Sequence, residues 1–209
     1  MDSPRASLGG VVVLLRAPRR GQVKRRLAAE LGEDAALDAY RRLLAGTLKT
    51  LAPVARVQLC VTPDAAAGEL ESLRQPGWTL VPQGSGDLGS RLHRMLVHAF
   101  ARDPDPWLAI GTDCPELTEA DLHDGWQALA TSDVVLGPAA DGGYWMIGMH
   151  TPQPGLFEEI SWGGPGVFQE TTERAAALGL RVHTLRILRD VDRADDWIAL
   201  RSRGFLAAG

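Results

Sequence analysis

The stretch Trp107-Leu108-Ala109-Ile110-Gly111-Thr112-Asp113-Cys114-Pro115 decides how this chain is read. Four consecutive apolar residues bounded by a glycine turn fit a short, fully buried strand. The strand runs into a carboxylate. Open α/β sheets bind ligands beyond the carboxyl ends of their strands, so Asp113 stands where chemistry is expected. Stiffened by Pro115, it suits ligation of Mg2+ or Mn2+ through oxygen, and it also suits capping of the next turn.

On either side of this strand the pattern alternates. Upstream, Val11 to Leu15 is a β-branched apolar run ending in the Pro/Gly-containing turn Ala17 to Gly21. From Asp34, the residues Leu37, Tyr40, Leu44, Leu48 and Leu51 recur at helical spacing. Val57, Leu59 and Val61 alternate as a strand that stops at Pro63, Trp78 to Val81 reads as a short strand, and Leu88, Leu92, Met95, Leu96 and Ala99 return to helix. Downstream, Thr118 with Asp121 forms a capping-box start for a helix carrying Leu122, Trp126 and Leu129. Asp133 to Gly137 and Tyr144 to Met149 are expected strands, Val167 to Leu178 a helix, and Val182 to Leu188 a last strand before Asp190. Strands alternating with helices of this length imply a mostly parallel sheet covered on both faces.

The charged residues expected at the strand ends gather on one rim. Arg16, Lys24 and Arg26 follow the first strand, Asp113 follows Ile110, Asp141 follows Gly137, and Asp190 and Asp192 follow the last strand. The cations suit phosphate oxygens, with arginine able to grip two at once, and equally fit a solvated basic loop at a helix start. Gln83-Gly84-Ser85-Gly86-Asp87-Leu88-Gly89 is a glycine-rich turn entering a helix. Gln83, Gly86 and Asp87 there could meet a nucleotide through free amides, or Asp87 could simply cap the helix. Asp141, in Asp141-Gly142-Gly143, is either a turn residue or a base near a substrate hydroxyl. Asp190 and Asp192 either prepare the helix start at Asp195 and Asp196 or complete a metal shell with Asp113; spacing does not choose between them. Trp162 fits stacking on a ring or plain packing, and the histidines show no metal or triad spacing.

Bulk properties narrow the function classes. The 209 residues are 45% hydrophobic and 23% charged with a net charge of −4, and no basic footprint suggests nucleic acid. Cys60 and Cys114 form neither a disulfide framework nor a metal motif, which fits a reducing compartment. No run approaches the roughly 20 apolar residues of a membrane span. A single domain over 1–209, cytoplasmic and without a membrane partner, is the expectation.

Taken in order, the loop Pro18 to Leu27, the turn Gln83 to Arg91, Gly111-Thr-Asp-Cys-Pro-Glu-Leu117, Leu136-Gly-Pro-Ala-Ala-Asp-Gly-Gly-Tyr-Trp145 and Asp190-Val-Asp192 carry a resemblance. The chain resembles bacterial stand-alone GT-A-like proteins assigned as glycosyltransferases in the nucleotide-diphospho-sugar transferase superfamily. It is distantly similar to molybdopterin guanylyltransferase and phospholactate guanylyltransferase. The resemblance covers nearly the whole chain. It implies a Rossmann-related, GT-A-like three-layer sandwich with a mixed sheet, a site for a nucleotide sugar or nucleoside triphosphate, and a divalent metal on Asp113. Three departures stand out: Lys24-Arg25-Arg26 replaces Lys-Thr-Arg, Trp162-Gly163-Gly164 replaces Trp-Ser-Thr, and Arg193 stands where a threonine is expected. Glycosyl transfer to a small-molecule acceptor leads the implied activities. Nucleotidyl transfer rivals it, and a nucleotide-binding module without catalysis is the alternative from another class.

Overall fold

A computed structural model describes residues 9–204, so the ends of the expected 1–209 unit lie outside the described residues. The sheet is built around β1 (Gly10–Arg16), where successive side chains serve opposite faces. Val11, Val13 and Leu15 enter one core; Val12 enters the other. No polar residue interrupts the run until Arg16, at the rim.

β1 pairs in parallel with β2 (Val57–Thr62) on one side and with β4 (Trp107–Ile110) on the other, Val13 lying level with Leu59 and with Ile110. With β3 (Thr79–Pro82), β5 (Val134–Pro138), β6 (Tyr144–Met149) and β7 (Val182–Thr184), the order across the seven-stranded sheet is β3-β2-β1-β4-β6-β5-β7. Only β6 runs against the others, antiparallel to β4 and to β5. The mostly parallel, mixed sheet expected from the sequence is therefore present.

Helices cover both faces. On one, α2 (Glu33–Leu51) contributes Tyr40, Leu44 and Leu51, and α4 (Glu119–Ala128) contributes Leu122 and Trp126. On the other, α3 (Leu88–Arg102) inserts Leu92, Met95, Leu96 and Ala99, and α5 (Val167–Ala177) inserts Ala175. Each large side chain so buried contributes about 1.5–3 kcal/mol. A third cluster joins α1 (Arg25–Leu31), α2 and α6 (Ala194–Ser202) through Leu27, Leu43 and Trp197. Among the described residues no helix is long and apolar enough to cross a membrane.

Two segments depart from the sequence reading. The last strand was expected to reach Leu188 but ends at Thr184, leaving only a bridge between Leu188 and Ala139. Its pairing with β5 stops at Leu136, and Pro138, two residues on, has no N–H with which to continue the ladder. The basic segment after the first strand contains a short helix of its own, α1, which Gly32 separates from α2 by turning at φ 87°.

The capping box at α4 is present in full: Asp121 N–H donates to the Thr118 hydroxyl, and the Asp121 carboxylate accepts the Thr118 N–H. That carboxylate is buried and also takes Arg186 Nε at 2.6 Å, fastening the strand-to-helix connection after β7 to α4. Asp121→Ala should lower the free energy of unfolding by about 2–3 kcal/mol, since a cap and a charge-assisted bond are lost together. Asp38→Ala, which breaks only the exposed pair with Arg42, should cost no more than about 0.5 kcal/mol in the same urea titration.

Near β7, Asp133 accepts the backbone N–H and the guanidinium of Arg181, which hold its carboxyl down at about 2. A depressed carboxyl stabilises the fold above its unfolded value near pH 4, and the contribution fades as pH falls toward 2. Acid unfolding of Asp133→Asn should accordingly lack the part of the pH dependence between those limits that wild type shows.

Candidate functional site

Parallel pairing around β1 delivers the ends of β1, β2 and β4 to one rim, and the site is assembled there. Tyr40, on the buried face of α2, fixes the first of these ends: its hydroxyl accepts the Arg16 N–H at 2.9 Å and donates to the Arg16 carbonyl at 2.7 Å. Burial pushes that phenol up to about 12, so it remains a neutral tether across the physiological range.

Beyond Arg16 the chain turns to Lys24, which stands at the head of α1 with φ 44° and ψ 53°, a left-handed conformation unusual for a residue with a side chain. The Lys24 side chain is only 5% exposed, and its Nζ lies 2.7 Å from Asp113 Oδ1. Arg26 makes a second pair of the same length, to Asp192 Oδ2. The loop carrying Asp192 is fastened to the other acid by backbone, because the Val191 N–H donates to the Asp113 carbonyl at 2.9 Å. These residues border a groove of about 530 Å³ whose walls include Arg16, Lys24, Arg25, Arg26, Arg91 and Asp113.

A smaller cavity of about 280 Å³ adjoins the groove and shares Asp113 with it. Its charged walls are Asp113, Asp141 and Asp190, and its apolar walls include Leu117, Trp145 and Val167. Asp141 is oriented by the Gly143 N–H, which donates to its Oδ1 at 2.9 Å. Asp190 makes no ion pair among the described residues; burial raises its carboxyl, and the neighbouring Asp141 and Asp113 add to the rise. A third cavity, of about 520 Å³, continues past Asp141 and Asp190 toward Arg189 and Arg193.

Gly142 connects this loop to the next one. It has φ 91°, and a Cβ there would lie 1.9 Å from the Pro165 carbonyl oxygen, while its own carbonyl accepts the Phe168 N–H. Trp162, on the same neighbouring loop, packs its ring against Gly89 in the first turn of α3 and meets Tyr144 edge-on at 6.4 Å.

Of the residues singled out from the sequence, Arg16, Lys24, Arg26, Asp113 and Asp192 border one groove, and Asp113, Asp141 and Asp190 border the cavity beside it. The glycine-rich turn contributes Gln83 to the wall of the same groove and also braces the strands. Gln83 is buried, and its Nε2 donates to the carbonyls of Leu15 and Cys60, clipping the ends of β1 and β2. Asp87 caps α3 by accepting the Ser90 N–H at 2.8 Å, which lowers its carboxyl, and the Gly86 carbonyl accepts Arg91 Nε. Asp113, Asp190 and Asp192 do not form a ready cage: among the described residues no group of three or more His, Cys, Asp or Glu side chains is arranged to hold a metal. In sequence Tyr40 is one member of an apolar stripe, and its hydroxyl, the one polar side-chain atom in that stripe, is the available signal.

Residues 47–164 match the model of the bacterial family DUF2064, described as "Uncharacterized protein conserved in bacteria". Among functionally curated proteins none matches. A candidate nucleotide-diphospho-sugar transferase from Desulfovibrio desulfuricans G20 is similar in structure with a TM-score of 0.86 and 30% identity, over 94% of this chain and 88% of that one. A 4-diphosphocytidyl-2C-methyl-D-erythritol synthase from Anaerococcus prevotii DSM 20548 shares the fold at a TM-score of 0.60 and 10% identity, covering 93% and 98% of the two chains. A nucleotidyl transferase from Methanothermobacter does so at 0.57 and 17%, covering 96% and 99%.

The Gly142 contact generates a stability test. Gly142→Ala must displace the Pro165 backbone as well as strain its own, and should destabilise the protein by about 2 kcal/mol or more. Gly163→Ala, with φ 85° and open space around its Cβ, should cost only about 1 kcal/mol in the same denaturation experiment.

Proposed function

On the premise that this chain belongs to the bacterial DUF2064 family, we propose that it is a metal-dependent glycosyltransferase drawing on a nucleotide-diphosphate sugar. The observation that carries the reading is the meeting, at Asp113, of a groove walled by cations and a cavity walled by carboxylates. Phosphates belong in the first. A polyhydroxyl group, whose hydroxyls donate to carboxylates, belongs in the second.

In this reading Lys24, Arg16 and Arg26 hold the phosphates, and arginine suits them because its fork can engage two oxygens. Asp113 and Asp190 take Mg2+ or Mn2+. Asp190 is preferred to Asp192 because Asp192 is already paired with Arg26, whereas Asp190 is crowded by two other acids without an ion pair of its own. Two carboxylates fit Mg2+, which completes its shell with water and substrate phosphate rather than with an all-protein cage. When bound, such an ion supplies charge neutralisation on the departing diphosphate. Asp141 is assigned to the acceptor hydroxyl, as base or as orienting group, since it borders both the acid-walled cavity and the third cavity beyond. Gly86 and Asp87 act indirectly in this reading, by holding the start of α3 against the groove, while Gln83 clips the strand ends and is itself part of the groove wall.

Nucleotidyl transfer is the second reading, favoured by one observation: five cationic side chains wall the groove, a density that suits a triphosphate. Products separate the two, nucleoside diphosphate in the first and pyrophosphate in the second.

Thermal unfolding across a panel of nucleotide sugars and nucleoside triphosphates, with and without Mg2+ or Mn2+, tests the proposal. A donor present at about a hundred times its dissociation constant should add roughly 2.7 kcal/mol of stability. The gain should depend on metal and disappear in Asp113→Ala. A panel without any stabilising nucleotide would remove the basis for the donor site.

A further inference from the structure

Both ion pairs at the rim join a cation of the phosphate groove to an acid: Lys24 to Asp113 and Arg26 to Asp192, each at 2.7 Å. The first pair is unequal. The Asp113 side chain is 49% exposed and opens on the groove, while that of Lys24 is almost wholly enclosed. An ammonium so placed depends on a partner anion, because little water reaches it to compensate. Lys24 also stands at a left-handed backbone position where glycine would be free of strain, and its side chain makes no capping bond to α1. The strain is tolerated at a residue whose long side chain reaches Asp113.

We propose that Lys24 is an exchangeable counter-ion: it occupies the metal-facing oxygen of Asp113 and transfers to polyphosphate when a divalent cation and a polyphosphate arrive together. The exchange rests on the transferase reading in one respect, that metal and phosphate share this rim. Its sign follows from charge. A cation entering alone would have to displace the ammonium from its ion-pair partner without bringing an anion to receive it. A polyphosphate entering alone would draw Lys24 away and leave Asp113 uncompensated beside Asp141 and Asp190, which border the same cavity. Arriving together, the phosphate takes the ammonium and the metal takes the carboxylate. Each ligand therefore raises the affinity of the other, and by the same factor.

The full chain tests this with two single-ligand titrations. Binding of Mn2+ alone, followed by the electron paramagnetic resonance of the free ion, should be about tenfold tighter or more in Lys24→Met than in wild type, within the usual range of coupling. Lys24→Gly, whose backbone suits the left-handed position, should behave the same way and guards against a folding defect in the first variant. Reciprocally, Asp113→Asn should bind inorganic pyrophosphate in EDTA about tenfold tighter than wild type, because its Lys24 is already released. Unchanged or weaker Mn2+ binding in both Lys24 variants, with pyrophosphate still bound by wild type, overturns the exchange alone. Failure of every protein in the set to bind pyrophosphate overturns the phosphate groove and the exchange with it.

Discussion

The parallel pairing of β1 with strands on both its sides is the constraint from which the rest of this molecule follows. β1 and β2 end level with one another at Arg16 and Thr62, β4 ends earlier at Ile110, opposite Val13, and the continuations of all three leave the sheet on the same edge. Arg16 and Asp113 are separated by most of a hundred residues yet border the same groove, because parallel strands must be connected by crossovers and must finish in one direction. The backbone bond from Val191 to the Asp113 carbonyl adds the C-terminal acids to that edge. The chemistry of the rim is therefore a product of topology before it is a product of any one side chain.

Electrostatics then divides the rim. On the β1 side lie fixed cations, on the β5 and β6 side carboxylates, and the boundary runs through Lys24 and Asp113. Neither half is neutralised internally to the same degree. Asp113 and Asp192 each have a partner, whereas Asp190 is raised by burial and by its acidic neighbours. A surface of this kind favours ligands that carry both signs, such as a phosphate chain with its cation.

The sequence was most informative where local chemistry and burial agree. β4, β6 and the α4 capping box were legible because an apolar run or a Thr-x-x-Asp spacing has few other uses. The run to Leu188 reads as one strand in sequence, but its end depends on Pro138 in its partner strand, in a different part of the chain. At the site, spacing located the charged residues near strand ends but carried no information on their pairing. That Arg26 meets Asp192, while Lys24 meets Asp113, is decided by how α1 and the last loop pack, across 166 positions in the first case. The glycine-rich turn around Gln83 shows the converse. A glutamine that bridges two strand ends leaves the same trace in sequence as one that borders a groove, and Gln83 does both.

The three cavities share their walls: Asp113 belongs to the groove and the acid-lined cavity, Asp141 and Asp190 to that cavity and the one beyond, and Arg26 and Asp192 to the groove and the last. The groove and the last cavity keep charged residues of their own, such as Lys24 and Arg189, but the walls between neighbouring compartments are held in common. Divergence of one binding preference within such a protein is therefore tied to the others. A substitution that retunes a shared wall for a different ligand also alters the space next to it, and compensating changes must appear there. Paths between specificities on this scaffold are thus epistatic by construction, and the order in which substitutions arrive decides which of them are tolerated.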